Sequence, residues 1–338
     1  MQKRQGVRPD DKIEHSMNPI EVKKLSKHFK NTKAVDDISF HVGKGECFGL
    51  LGPNGAGKTT TVNILSTLLK PTSGNATVAG YDVLKSKNQV RSSIGMVFQE
   101  PALDSKLTGK ENLEFHAMMY GIAPKVYKER ISALLELVEL KEKQNTLVQN
   151  YSGGMKRRLE IARGLIQKPK VLFLDEPTLG LDSQTRRRIW DYIKDLLSEK
   201  DISIILTTHY MDEADYLCDR IAIIDNGKII ALGTPQELKD SQGGDVLTLE
   251  VENETREFVS SLSAISGIKS IKEYQECPKC LSITLEKAET KIPEVLKLSQ
   301  DHNVKVLSVN VHKISLEDVF LNYTGRTIKN TEEREKVW

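Results

Sequence analysis

The sequence has 338 residues, 49 lysines and arginines against 47 aspartates and glutamates, and a formal net charge of +2. At roughly 150 residues per domain the length predicts two domains with buried cores, and so even a balance excludes a chain that recruits polyanions through its overall field. No apolar stretch approaches the roughly 20 residues that cross a bilayer, the N-terminus has no secretory pattern, and four cysteines make no disulfide framework, so the expected location is the cytoplasm.

Residues 1–18 are charged and read as a solvated tail. Over 19–243 short β-branched runs at 38–42, 46–51, 94–98, 171–174, 202–207 and 221–225 alternate with helical patterns. Several are apolar on both faces, as parallel strands covered by helices are. The fold class is therefore α/β. Within it, about 100–155 carries no strand signal, and Ile131, Leu134, Leu135 and Val138 recur at helical spacing, which predicts an all-helical insert. Residues 241–244 read as a linker. Beyond them 244–325 predicts a small α+β domain in the order βαββαβ plus a last amphipathic helix marked by Leu316, Val319, Phe320 and Tyr323, a ferredoxin-like arrangement. Residues 326–338 form a charged tail.

The run Gly52-Pro53-Asn54-Gly55-Ala56-Gly57-Lys58-Thr59-Thr60 follows one of the apolar strands and precedes a helical pattern. Small residues let such a loop bend around an anion with its N–H groups pointing inward, and the helix start adds its positive dipole end. Lys58 then serves the β- and γ-phosphates, and the Thr59 hydroxyl can ligate Mg²⁺. The strand at 171–174 ends in Asp175 and Glu176, at the edge of a parallel sheet where ligands bind. Asp175 can hold Mg²⁺, leaving Glu176 to orient and deprotonate a water attacking the γ-phosphate.

Gln99, Ser152-Gly153-Gly154, Asp175-Glu176, Gly180-Leu181-Asp182 and His209 follow Lys58 in the order found in ATP-binding cassette (ABC) ATPases, and over about 20–243 the chain resembles that family. The resemblance implies a P-loop ATPase domain with an antiparallel β subdomain and a helical insert, working as a nucleotide-sandwich dimer. It implies that ATP and Mg²⁺ are bound, that Gln99 contacts Mg²⁺ and the attacking water, and that His209 bonds the γ-phosphate. Ser152, Gly153 and Gly154 would meet the γ-phosphate held by a second subunit, Asp182 would tie the two sites together, and Phe29 would stack on adenine. The stretch Ile314-Ser-Leu-Glu-Asp-Val-Phe-Leu resembles the end of ATPase subunits of the daunorubicin-resistance type, which export drugs, lipids or polysaccharides.

The implied function is hydrolysis of ATP to power a separate membrane permease, with this subunit held peripherally on the inner face of the membrane and no nucleic-acid partner. Leu103, Leu107, Met118 and Met119 of the insert would form the docking groove. A soluble ABC ATPase acting on DNA or ribosomes is the alternative. The signature run is Tyr151-Ser-Gly-Gly-Met155, where the common pattern begins with leucine and ends with glutamine, so contacts across the dimer would rely on Ser152 and backbone. The basic runs 155–158 and 186–188 read as solvated helix faces. Cys277 and Cys280 offer two ligands where a closed zinc site needs four; the other reading is a hairpin with Pro278 at its tip. Cys47 and Cys218 read as inert core residues.

Overall fold

A computed structural model describes residues 18–324, apart from 31, 199–200, 242, 253–255, 275–276 and 287. The chain opens with a hairpin, β1 (Ile20–Phe29) and β2 (Thr32–Val42), then β3 (Cys47–Leu51) and α1 (Lys58–Leu65). Next come β4 (Ser73–Val78), β5 (Tyr81–Asp82), α2 (Lys87–Ser93) and β6 (Ile94–Val97). The expected helical stretch follows as α3 (Gly109–Met119), α4 (Pro124–Leu137) and α5 (Gly153–Leu165). The chain returns through β7 (Val171–Asp175), α6 (Ser183–Ser198), β8 (Ser203–Thr208) and α7 (Met211–Leu217) to β9 (Arg220–Asp225), β10 (Lys228–Gly233) and α8 (Pro235–Asp240). The C-terminal elements are β11 (Asp245–Val251), α9 (Arg256–Leu262), β12 (Ile268–Tyr274), β13 (Cys277–Leu285), α10 (Ala288–Asp301), β14 (Val306–His312) and α11 (Leu316–Thr324).

These strands form a six-stranded sheet ordered β10-β9-β3-β8-β7-β6, parallel except at the β10 edge. Its central strands β3, β7 and β8 are buried at every position, which is why they read as unbroken apolar runs. A second, antiparallel sheet, β2-β1-β4-β5, faces it across a core that includes Phe40, Phe48, Val62, Leu65 and Phe173. The helical stretch and the opposite face of the large sheet share a second core through Leu113, Ile131, Leu159 and Leu174.

The third sheet, β12-β13-β11-β14, is antiparallel throughout. With α9 and α10 it completes the ferredoxin-like order around its own core of Leu247, Leu249, Phe258, Ile283 and Val295. Two details differ from the sequence reading. Pro278 lies inside β13 and not at a hairpin tip, since Tyr274 pairs with Cys277 and the register then shifts to Glu273 against Leu281. A residue without an N–H is tolerated in such an irregular stretch. The side chains of Cys277 and Cys280, the two ligands of the zinc reading, lie outside the described residues. The second difference is α11. The sequence pattern groups it with the ferredoxin-like elements, yet Leu316, Val319 and Phe320 join the core that contains Ala214, Leu217 and Leu238 and pack on α7 and α8. Ser315 sets the turn, its hydroxyl accepting from the Asp318 N–H (3.2 Å) while Asp318 accepts from the Ser315 N–H (2.8 Å).

Candidate active site

The phosphate loop joins β3 to α1. Two of its glycines are required by geometry: a Cβ at Gly52 would run into the Ile224 carbonyl, and Gly57 caps α1 at φ 108 with the Ala34 carbonyl where a Cβ would sit. The N–H groups of the first turn of α1 have no helical partner and open onto a cavity of about 280 Å³ lined by residues 53–60 with Gln99 and Glu176. Lys58 is buried and donates to the Gly52 and Pro53 carbonyls (2.7 and 3.0 Å). Its Nζ also lies 3.4 Å from Glu176 Oε1.

The two carboxylates stand at the end of β7, one strand removed from β3 because β8 lies between them. Asp175 Oδ1 accepts from the Thr59 hydroxyl at 3.2 Å and from the Thr207 hydroxyl of β8. Burial pushes the Asp175 carboxyl above its usual range, and these two hydrogen bonds offset the rise only in part. Glu176 balances the other way. Burial raises it, but the hydrogen bond from His209 and the Lys58 ammonium together outweigh that and hold it below its ordinary value. Gln99 Nε2 lies 3.4 Å from Glu176 Oε2, and His209 Nδ1 lies 3.3 Å from Glu176 Oε1. Glu176 has φ 47, a left-handed backbone that glutamate adopts only where its surroundings impose it. Hydrogen bonds from its N–H to the Thr207 carbonyl and hydroxyl (3.1 and 3.0 Å) supply that constraint.

Lys58, Thr59, Gln99, Asp175, Glu176 and His209 thus converge on one point. Ser152, Gly153 and Asp182 do not line that cavity. Ser152 is the N-cap of α5, its hydroxyl accepting from the Met155 N–H at 3.3 Å, and both Ser152 and Gly153 are exposed. Met155 is half-buried against the core. Asp182 caps α6 through the Thr185 N–H and hydroxyl (2.9 and 2.6 Å). Phe29, at the end of β1, is 46 % exposed under the Lys27 ammonium, so its ring is not part of the core.

The sequence reading missed four buried charged groups, Arg157, Glu160, Arg163 and Glu213. Arg157 belongs to the basic run taken as a solvated face, yet it is only 6 % exposed. Its guanidinium donates to the carbonyls of Phe98, Asp175 and Pro177, the last-named pair flanking Glu176. Glu160, one turn on, accepts from the Ala102 N–H at 2.7 Å and pairs with Arg163 at 2.7 Å. Glu213 accepts from the Thr178 hydroxyl and the Trp190 indole (2.7 and 2.9 Å), joining the loop after Glu176 to α6 and α7. Helix α5 is buried over Leu159–Leu165 as well as at Arg157; a helix covered on so many sides has little room for solvated cations, and that crowding was the available signal.

A phosphate loop between strand and helix, a carboxylate pair on a nearby parallel strand, and a helical stretch ending in an exposed Ser-Gly-Gly helix start define a P-loop ATPase of the cassette class. Comparison with known proteins agrees. Residues 35–179 match the family described as ABC transporter, and residues 233–324 match the C-terminal domain described as ATP-binding protein DrrA1-3-like. The chain is 39% identical over 312 residues to the linearmycin resistance ATP-binding protein LnrL of Bacillus subtilis (strain 168), covering 92% of this chain and 100% of that protein. It is 39% identical over 323 residues to the daunorubicin/doxorubicin resistance ATP-binding protein DrrA of Streptomyces peucetius, covering 94% and 97%. A solved dimeric structure of the ATP-binding cassette MJ0796, in a post-hydrolysis state bound to ADP and Pi, superposes with a TM-score of 0.58 at 26% identity, covering 64% of this chain and 98% of that one. The chain belongs to the ABC transporter family, as an ATP-hydrolysing subunit of the drug-resistance and export branch. Among the described residues no helix is long and apolar enough to cross a membrane.

Proposed function

We propose that two copies of this ATPase, organised as residues 19–243 for catalysis and 244–325 as an accessory domain, close on ATP and drive a separate permease that exports a drug, lipid or other hydrophobic compound. One observation carries the dimer. The cavity at Lys58 is completed within the chain by Gln99 and Glu176 but not by Ser152, whose helix start is exposed. An exposed helix N-terminus with a hydroxyl and two glycines is an anion site, so the Ser152–Gly154 turn of one copy serves the γ-phosphate in the loop of the other. The dimeric MJ0796 structure supports this reading. Taking an open–closed equilibrium from 1:99 to 99:1 needs about 5.5 kcal/mol of differential affinity, within reach of several charge-assisted contacts to a triphosphate.

In this reading Lys58 and the loop N–H groups hold the β- and γ-phosphates. Glu176, ionised and aimed into the cavity, takes the proton of the attacking water, with His209 and Gln99 fixing its carboxylate from two sides. Mg²⁺ fits the donors present, because Thr59 and Asp175 bring hard oxygen atoms together beside the loop and Gln99 adds an amide carbonyl. When bound it neutralises charge on the β- and γ-phosphates. Asp182, ordered by its cap on α6, lies on the loop that faces the second copy.

Phe29 stacks on adenine. Phe29→Ala should weaken nucleotide binding by about 1–3 kcal/mol, the usual worth of an aromatic platform, with turnover at saturating ATP retained; unchanged affinity in a titration with a fluorescent ATP analogue would remove Phe29 from the site.

The permease docks on α3. Met118 and Met119 are 55% and 69% exposed and Phe115 is 56% exposed, whereas Leu103 is packed against the core and Leu107 is half-buried. The groove expected from all four residues therefore narrows to this face. Met118→Asp with Met119→Asp should abolish co-purification of the permease from membranes while the isolated subunit keeps its ATPase activity. Intact co-purification would move the docking site elsewhere. Purification of the unaltered chain from membranes tests the whole reading: it should bring a multi-span protein with it.

A further inference from the structure

Helix α5 begins at the Ser-Gly-Gly turn and, one to two turns later, reaches into the other half of the site. Arg157 and Glu160, three residues apart, share one face of the helix. Between them they hold the segment that carries Gln99: Arg157 donates to the Phe98 carbonyl on one side, and Glu160 accepts from the Ala102 N–H at 2.7 Å on the other. The same guanidinium donates to the carbonyls of Asp175 (3.0 Å) and Pro177, the residues before and after Glu176. These carbonyls belong to the last residue of β7 and to residues just beyond β6 and β7, where regular sheet pairing ends and a buried carbonyl needs another donor. A planar guanidinium, with five donors in a fixed fork, can serve three such acceptors at once; a lysine ammonium meets them only as a point charge. No carboxylate forms an ion pair with Arg157 among the described residues, and its hydrogen bonds go to the backbone just before Gln99 and on both sides of Glu176. Burial lowers its guanidinium to about 10, opposed by Glu160, Glu213, Asp175 and Glu176, so it stays charged near neutral pH.

We propose that Arg157 is a positioning residue that, together with Glu160, makes Gln99 and Glu176 follow the movement of α5. The inference rests on the reading above, in which the Ser152–Gly154 turn binds the nucleotide of the second copy. The helix start that senses one ATP is then rigidly joined to the general base for the other. Hydrolysis in the two sites is coupled through a 13-residue helix and one cation, with no contact between Arg157 and either nucleotide.

The test uses the full chain. Arg157→Met replaces the cation by an apolar side chain of similar length, and Arg157→Lys keeps the charge but not the fork. Both should remain folded, with a lower melting temperature in Arg157→Met because three carbonyls lose their donor, and bind a fluorescent ATP analogue within about twofold. Turnover should fall roughly 10- to 100-fold in Arg157→Met, the scale of a catalytic group displaced by about 1 Å, and less in Arg157→Lys. In Gln99→Ala, adding Arg157→Met should cost less than it does alone, because part of its effect runs through Gln99. Millimolar methylguanidinium should restore turnover to Arg157→Ala by refilling the space with the missing fork. Normal turnover in a folded Arg157→Met, full independence from Gln99→Ala, or no rescue by methylguanidinium would each overturn the proposal. Glu176→Gln is measured beside these variants. If it turns over normally, the general-base reading fails and the proposal with it; if it is defective while Arg157→Met is normal, only the proposal fails.

Discussion

Glu176→Gln is expected to cut ATP turnover by roughly 10²- to 10⁴-fold, the range for loss of a general base, and to prolong the life of ATP-dependent dimers. The amide keeps the shape of the carboxylate and can still meet Gln99, so nucleotide binding should persist while proton abstraction stops. Lys58 and His209 hold the Glu176 carboxyl below its ordinary value of 4.5. A base with a depressed pKa stays ionised to lower pH than an ordinary glutamate, so the midpoint of any acid loss of activity due to Glu176 should lie below pH 4.5. Turnover is read by phosphate release and dimer lifetime by light scattering after ATP addition. Near-normal turnover in the variant would take Glu176 out of the reaction, and a strictly monomeric variant at saturating ATP would remove the sandwich.

Much of this site was legible because its parts are contiguous. The loop 52–60 and the pair Asp175-Glu176 each sit at a strand end, and a fully buried strand announces itself as an apolar run, as β3, β7 and β8 do. The antiparallel sheet was named only as a subdomain. Strand β1 contains irregularities between Val22 and Leu25 and again up to His28, with Lys24 at φ 47, and such breaks erase the two-residue alternation that marks a half-buried strand. Arg157 was hidden for a different reason. Its partners are main-chain carbonyls of Phe98, Asp175 and Pro177, and a carbonyl has no letter in the sequence. The stripe Leu316, Val319, Phe320 identified which face of α11 is buried, but a stripe does not name its partner; the partner is α7 and α8, elements nearly a hundred residues upstream.

Lys58→Ala should fail at an earlier step than Glu176→Gln. The lysine donates to the carbonyls of Gly52 and Pro53 and stands 3.4 Å from Glu176 with only 4% of its side chain exposed. Truncation removes a cation from the phosphates and leaves the Glu176 carboxylate buried without its counter-charge. A charge-assisted hydrogen bond is worth about 1.5–3 kcal/mol, so nucleotide affinity should fall by roughly 10- to 150-fold. Unpaired, Glu176 also loses one of the two influences that oppose desolvation, and its pKa should rise. The variant is then changed twice: little ATP is bound, and any acid loss of activity due to Glu176 moves to higher pH. Binding of a fluorescent ATP analogue, measured beside Glu176→Gln, separates the two effects. The glutamine variant should bind and not turn over, while the alanine variant should do neither at ordinary ATP concentrations. Unchanged affinity in Lys58→Ala would show that the loop holds its anion through backbone N–H groups alone, and the assignment of Lys58 to the phosphates would have to be given up.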